Sequence, residues 1–368
     1  MERISYELSL DPVAVRLANL DTTKYSDMRD MVDLLKTNAE YTPRRAAVDS
    51  FNTQNRWKKR GLRWAFSRWS PAGAQRFDIN LSVFHADGSV VITHAGVEMG
   101  QGINTKAVQV AAYLLKIPIN KIQIKGNNTI ITPNSFISGG SLTTQSVIIA
   151  LRRCCDELNA RLDPIRTTLT NPTWEQLITA AYNANVDLQA HGFVSFADVQ
   201  SYNVYGMALC EVEIDVLTGE FEVLRVDILQ DVGLSVSPEI DVGQVEGAFI
   251  MGQGYWTCEK LYYADTGELL TNRTWDYHVP EARDIPQDFR VHFKKNSYSN
   301  ELILGSKGTG EPAICSSVVV AFAIREAIVQ ARQEAGIPTT EWFTIDGPCS
   351  TENVCMAINT NTTDFKLY

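Results

Sequence analysis

Three glycine-rich segments constrain this chain more than any other feature, because each ends where an apolar, helix-periodic stretch begins. They read GVEMGQGINTK at 96–106, SGGSLTTQ at 138–145 and GSKGTGEPAICSS at 305–317. Glycine lets the backbone come close to a ligand, and the helix that follows offers unpaired N–H groups at the positive end of its dipole. One such turn is ordinary capping, whereas three in one chain point to a large anionic ligand held mainly by backbone. None is a nucleotide-type phosphate loop, because no Gly-Lys-Ser/Thr stands at the required distance from a first glycine. A dinucleotide fingerprint, a nucleophile elbow and a HExxH zinc helix are also absent from the sequence, and the five histidines are dispersed.

The pattern around these turns predicts the architecture. Residues 1–60 read as mainly helical, with Ile4, Leu8, Val13, Val15 and Leu17 on a rough stripe that Pro12 interrupts. A start at Met1 inside such a pattern, with no capping residue before it, is how an internal fragment of a longer chain would begin. From residue 78 short alternating strands take over, with Asp87-Gly88 as a hairpin turn, and a second hairpin is predicted over Val204–Ile228 around Thr218-Gly219. Helices are predicted over Asn104–Leu115, Leu142–Leu162, Val242–Trp256 and Ile314–Ala335. This irregular alternation implies an α+β fold, with mixed sheets and packed helices in a two-lobed body, more readily than a doubly wound parallel sheet. The expected division is a helical segment over 1–60, continuing from an upstream domain, and a main domain over 61–368.

Charge and cysteine usage narrow the function. Among 368 residues, 33 basic against 43 acidic side chains give a net charge of −10, which repels nucleic-acid backbones and anionic membranes. No apolar window of membrane-spanning length stands out, and MERISYELSLDP lacks the apolar region of a signal peptide, so a cytoplasmic chain is expected. Seven cysteines, an odd number without a framework, read as reduced thiols. Their spacing matches no iron–sulfur or zinc site, and Cys154-Cys155 falls in an apolar helical stretch where buried thiols are common.

Four ordered segments then carry a specific resemblance: HAGVEMGQGINTK, TPNSFISGGSLTTQ, DVGQVEGAFIMGQGYWTCEKL and LGSKGTGEPAICSSVVVAFAIREAI. With WKKRGL at 57–62 and YHVPEARDIP at 277–286, they resemble the C-terminal molybdenum-cofactor region of the xanthine dehydrogenase and aldehyde oxidase family over nearly the whole chain. The resemblance implies a molybdopterin group with molybdenum, with Gly100, Gln101 and Gly102 lining the pterin, and Gly140, Ser141 and Thr144 holding its phosphate and dithiolene region. It also implies that Glu311 is the general base of a hydroxylation with water-derived oxygen, turning aldehydes into carboxylic acids or hydroxylating N-heterocycles. Family members commonly carry a glutamine where this chain has Met251, reading FVQGLG against FIMGQG here. A methionine cannot donate a hydrogen bond, so either that contact is lost or Gln253 supplies it. The segment from Trp69 to Gly73, with Trp69, Ser70 and Pro71, is expected to face the substrate.

The resemblance further implies partners: iron–sulfur, flavin and first molybdenum domains upstream, carrying FAD and two 2Fe–2S clusters in the complete enzyme but not here, and a homodimer. SKGTGEPA and RWAFSRWSP resemble animal, particularly insect, aldehyde oxidases. A xanthine dehydrogenase-type purine hydroxylase is the alternative enzyme, and a noncatalytic truncated fragment the alternative of another class. Read by itself, Glu311 before Pro312 is better taken as a helix-start carboxylate facing the dipole, and the resemblance is what turns the reading to catalysis. A carboxylate in a pocket of glycine, Thr309 and apolar helix is also one whose pKa desolvation tunes upward for proton transfer.

Overall fold

The computed structural model describes residues 1–21, 25, 27–71, 76–126, 128–198, 202–297, 303–345 and 347–365. Within them lie helices α1 (Glu2–Glu7), α2 (Pro12–Ala18), α3 (Asp27–Asn38) and α4 (Tyr41–Gln54), and strands β1 (Lys58–Trp69), β2 (Phe77–Val83) and β3 (Val90–His94). Then come α5 (Ile103–Leu115), β4 (Ile122–Ile124), α6 (Thr143–Arg166), α7 (Trp174–Asn183), β5 (Gln189–Val194), β6 (Val204–Asp215) and β7 (Phe221–Gln230). The remainder holds α8 (Pro238–Thr257), β8 (Asp288–Phe293), α9 (Gly310–Ser316), α10 (Val318–Glu334) and α11 (Thr351–Ile358). The strands form two four-stranded sheets, ordered β4-β3-β2-β5 and β1-β6-β7-β8. Each is mixed, since β3 pairs parallel to β4 and β7 parallel to β8 while the other pairs are antiparallel. The fold is α+β, as the sequence pattern implied.

The first sheet is covered on one face. Alternate residues Phe77, Ile79, Leu81 and Val83 of β2 join a core with α5, α6 and α7, which is the period-2 consequence of a strand with one buried side. Cys154 and Cys155 lie in that core, and burial pushes the Cys154 thiol up to about 12. The second sheet is covered on both faces. On β6, Ala208, Cys210, Val212 and Ile214 point into a core with α8, α10 and α11, while Met207 and Leu209 point into another with α2, α3 and α4. A strand buried on both sides reads as a continuous apolar run, which is what VYGMALCEV shows. Gly61 of β1 is required by the closeness of α10: a β-carbon there would stand 1.9 Å from the Ala323 carbonyl oxygen.

The N-terminal helices are fastened to the second sheet by ions as well as by apolar contact. The Arg44 guanidinium on α4 reaches Asp227 at 2.7 Å, an aspartate with no exposed surface, and Arg45 reaches Glu326 of α10 at 2.9 Å. Removing one partner of such a buried pair strands the other charge and costs about 3–5 kcal/mol.

Two expectations need correction. Ile4 and Leu8 are 49% and 61% exposed, so the buried stripe begins only at Val13, because Pro12 opens a new helix capped by Asp11 instead of interrupting one. A window apolar enough for a membrane span does exist within Gly310–Glu334, yet 72% of it is buried inside the protein, where α10 forms part of the core.

Candidate active site

The two lobes meet along a seam, and the three glycine turns converge there. The turns before α5 and α6 belong to the lobe of the first sheet, and the turn before α9 to the lobe of the second. Between them lies a cavity of about 570 Å³ lined by Gln101 from the first turn, Gly139, Gly140, Ser141 and Thr144 from the second, and Gly308, Gly310 and Glu311 from the third. A larger hollow of about 740 Å³ between the end of α8 and α11 holds none of these turns. The smaller one is therefore the candidate site.

Polar links cross the seam at the cavity. Lys106 of α5 meets Asp241 of α8 at 2.6 Å, and Gln244 of α8 donates to the Gly100 carbonyl at 3.2 Å. The Tyr202 hydroxyl donates to the Gln145 side-chain oxygen at 3.0 Å, and the Ser141 hydroxyl donates to the Glu311 carboxylate. A second cavity lysine, Lys307, is paired with the buried Asp231. Both cations are thus neutralised by aspartates. Glu311 stands second in α9, half-buried, and burial raises its pKa above the usual carboxylate range against the opposing effect of its own backbone N–H.

The second turn is shaped to face a ligand. Gly140 has φ +66°, and a β-carbon added to it would meet only a Leu142 methyl at 3.9 Å; at Gly139 and Gly310 it would meet nothing. Backbone left bare against open space is a cradle for a bulky group.

The first turn is organised differently. Glu98, absent from the sequence expectations, accepts from the amides of Gly100, Gly102 and Asn104 at 3.1, 2.9 and 3.1 Å. The positive end of α5 is therefore answered by the chain's own carboxylate. Gln101 lines the cavity with its amide folded back onto the turn, accepting from Met99 and donating to Val97. Gly102, at φ +74°, packs against Ile240. The signal for Glu98 is present in the sequence as an acid just before the helix start.

On α8, Met251 lines the cavity, 68% exposed, whereas Gln253 is 1% exposed and donates to the Asp284 carbonyl. Two residues along a helix turn a side chain by about 200°, which carries Gln253 to the opposite face. Trp69, Ser70 and Pro71 are not among the residues lining the cavity. Trp69 pairs with Val204 at the end of β1, Ser70 donates to Asn203 at 2.6 Å, and Pro71 is buried, while Gly73 lies outside the described residues. The cavity wall also includes Tyr202, Gln145 and Lys106, which nothing in the local sequence distinguishes as convergent.

The chain belongs to the molybdopterin cofactor-binding domain family of the molybdenum hydroxylases, whose profile matches residues 34–286. It is 36% identical to aldehyde oxidase 1 of Bos taurus over 96% of its own length and 28% of that protein's. It is likewise 36% identical to the xanthine dehydrogenase/oxidase of Gallus gallus, with the same coverage of each chain. The chain thus spans about 28% of the length of these curated relatives. Its fold is shared with a Cu,Mo-containing CO dehydrogenase, with a TM-score of 0.80 over 96% of this chain and 50% of that one, at 19% identity.

Proposed function

We propose that this chain is the cofactor-holding part of an aldehyde oxidase-type hydroxylase and that Glu311 is its general base. The observation that carries the reading is the convergence of a desolvated carboxylate with the bare glycine backbone of the second and third turns on one cavity. That cradle fits a molybdopterin group, which Gly139, Gly140, Ser141, Thr144 and Gln101 would hold. When bound, the group supplies the two-electron oxidising power that the chain's own side chains lack.

The chain's part is to bind, orient and move a proton. Converting an aldehyde to an acid adds the oxygen of one water and releases two protons and two electrons. Glu311 takes a proton from that oxygen as it becomes a nucleophile, and a pKa raised by burial makes the carboxylate a stronger base. Ser141 holds the carboxylate in place, and Ile148, Val236, Ala248, Met251 and Ile314 give the cavity an apolar wall. The apolar wall, together with the pairing of both lysines, supports an aldehyde over a purine rich in hydrogen-bonding groups. In this reading the electrons leave through flavin and iron–sulfur domains elsewhere in a cytoplasmic, dimeric enzyme.

The test is Glu311→Gln in the intact enzyme that carries this chain. Shape and hydrogen bonding are kept while the proton acceptor is lost, so molybdenum content is expected to hold and kcat/KM to fall by about 10² to 10⁴. Retention of kcat/KM within about threefold would return Glu311 to a capping role.

A further inference from the structure

The carboxylate's place depends on a residue outside the glycine turns. Tyr202 stands two residues before β6, the strand buried on both faces between β1 and β7, so its backbone is anchored at the edge of the second lobe's core. Its hydroxyl accepts from the Gly308 amide at 3.1 Å and donates to Gln145 on the first turn of α6 at 3.0 Å. Gly308 lies three residues before Glu311 and packs against Ser141 so closely that a β-carbon there would come within 2.8 Å of the Ser141 β-carbon. The phenol thus accepts from one side of the seam and donates its own proton to the Gln145 side-chain oxygen on the other. Burial pushes the Tyr202 phenol up to about 12, so the donor stays protonated at working pH.

We propose that Tyr202 is a positioning residue for Glu311: its hydroxyl fixes the spacing between the start of α6 and the turn that carries the carboxylate. The inference rests on the reading of Glu311 as base. Without the hydroxyl, the Gly308 amide loses its acceptor, the turn relaxes away from α6 and water reaches the carboxylate. Desolvation is what raises Glu311, so admitting water lowers its pKa.

The experiment is Tyr202→Phe in the intact enzyme, which keeps the ring and removes only the hydroxyl. The expected result is a fall in kcat of about tenfold, a displacement of the acid limb of the kcat/KM profile to lower pH, and faster amide hydrogen exchange in the peptide spanning 305–311, with molybdenum content unchanged. An acid limb and exchange rate equal to those of the parent would overturn the inference, as would a loss of rate that tracks lost molybdenum. Should Tyr202→Phe fail to fold, Gln145→Leu removes one bond of the bridge and is expected to displace the limb in the same direction by less. An unmoved limb in Gln145→Leu then overturns the proposal. If Glu311→Gln keeps its turnover, the base reading itself falls; if Glu311→Gln collapses while Tyr202→Phe matches the parent, only the positioning role does.

Discussion

The Ser141 hydroxyl donates to the Glu311 carboxylate across the seam between the two lobes, joining the turn before α6 to the first turn of α9. Burial raises Glu311, and a donor to a carboxylate favours its charged form, so losing the Ser141 hydroxyl is expected to raise it further. Ser141→Ala in the intact enzyme is therefore expected to move the acid limb of kcat/KM to higher pH. A pH–rate profile that stays in place or moves to lower pH rejects this.

Glu311 also makes a stability prediction with a definite sign. A carboxyl whose folded pKa lies above its unfolded value contributes stability at low pH, and that stability is lost as pH rises from the unfolded toward the folded pKa. Above both, the charged Glu311 weighs against folding. Glu311→Gln is thus expected to unfold at a higher temperature than the parent at pH 8, with the gain shrinking toward pH 4. A carboxylate that merely answered the α9 dipole would show the opposite at pH 8, a loss of about 0.3–1 kcal/mol. Thermal unfolding at the two pH values decides between them.

Gly140 tests the cradle. A valine there must adopt φ +66° and projects its branch toward the cavity. Such a conformation costs on the order of 1–3 kcal/mol. In the intact enzyme, molybdenum content is expected to fall while flavin and iron–sulfur content persist. Full molybdenum occupancy in Gly140→Val removes the second turn from the binding site.

The two α8 side chains that sequence left interchangeable are separated by one further variant. Gln253→Met removes the donor to the Asp284 carbonyl and is expected to cost about 1 kcal/mol of stability while leaving molybdenum content at the parent level. A drop in molybdenum without a drop in unfolding temperature assigns Gln253 a binding role after all.

What sequence could reveal here was local. The Asp87-Gly88 and Thr218-Gly219 turns announced their hairpins, and apolar periodicity located α5, α6, α8 and α10 to within a few residues, because both signals are written in consecutive positions. The irregular mixture of elements also gave the α+β class, though not the pairing of β1 with β6, which joins residues about 145 positions apart. The site was legible as turns and illegible as a place. Glu311 and the second turn sit in the cavity, but which face of α8 looks inward depends on helix rotation and side-chain packing. Tyr202 and the Gln253–Asp284 contact belong to that non-local class, whereas Glu98 answers amides two to six residues along the chain and is a local feature.

The seam has a thermodynamic consequence for loading. Because the cavity walls are drawn from separate cores, a ligand that fills it touches both lobes, and occupancy and interlobe cohesion become one linked equilibrium. A ligand present at a hundred times its dissociation constant adds about 2.7 kcal/mol to the state it selects. Here that increment falls on the contact between the lobes and leaves each hydrophobic core as it was, so emptied and filled protein should differ chiefly in how often the lobes part.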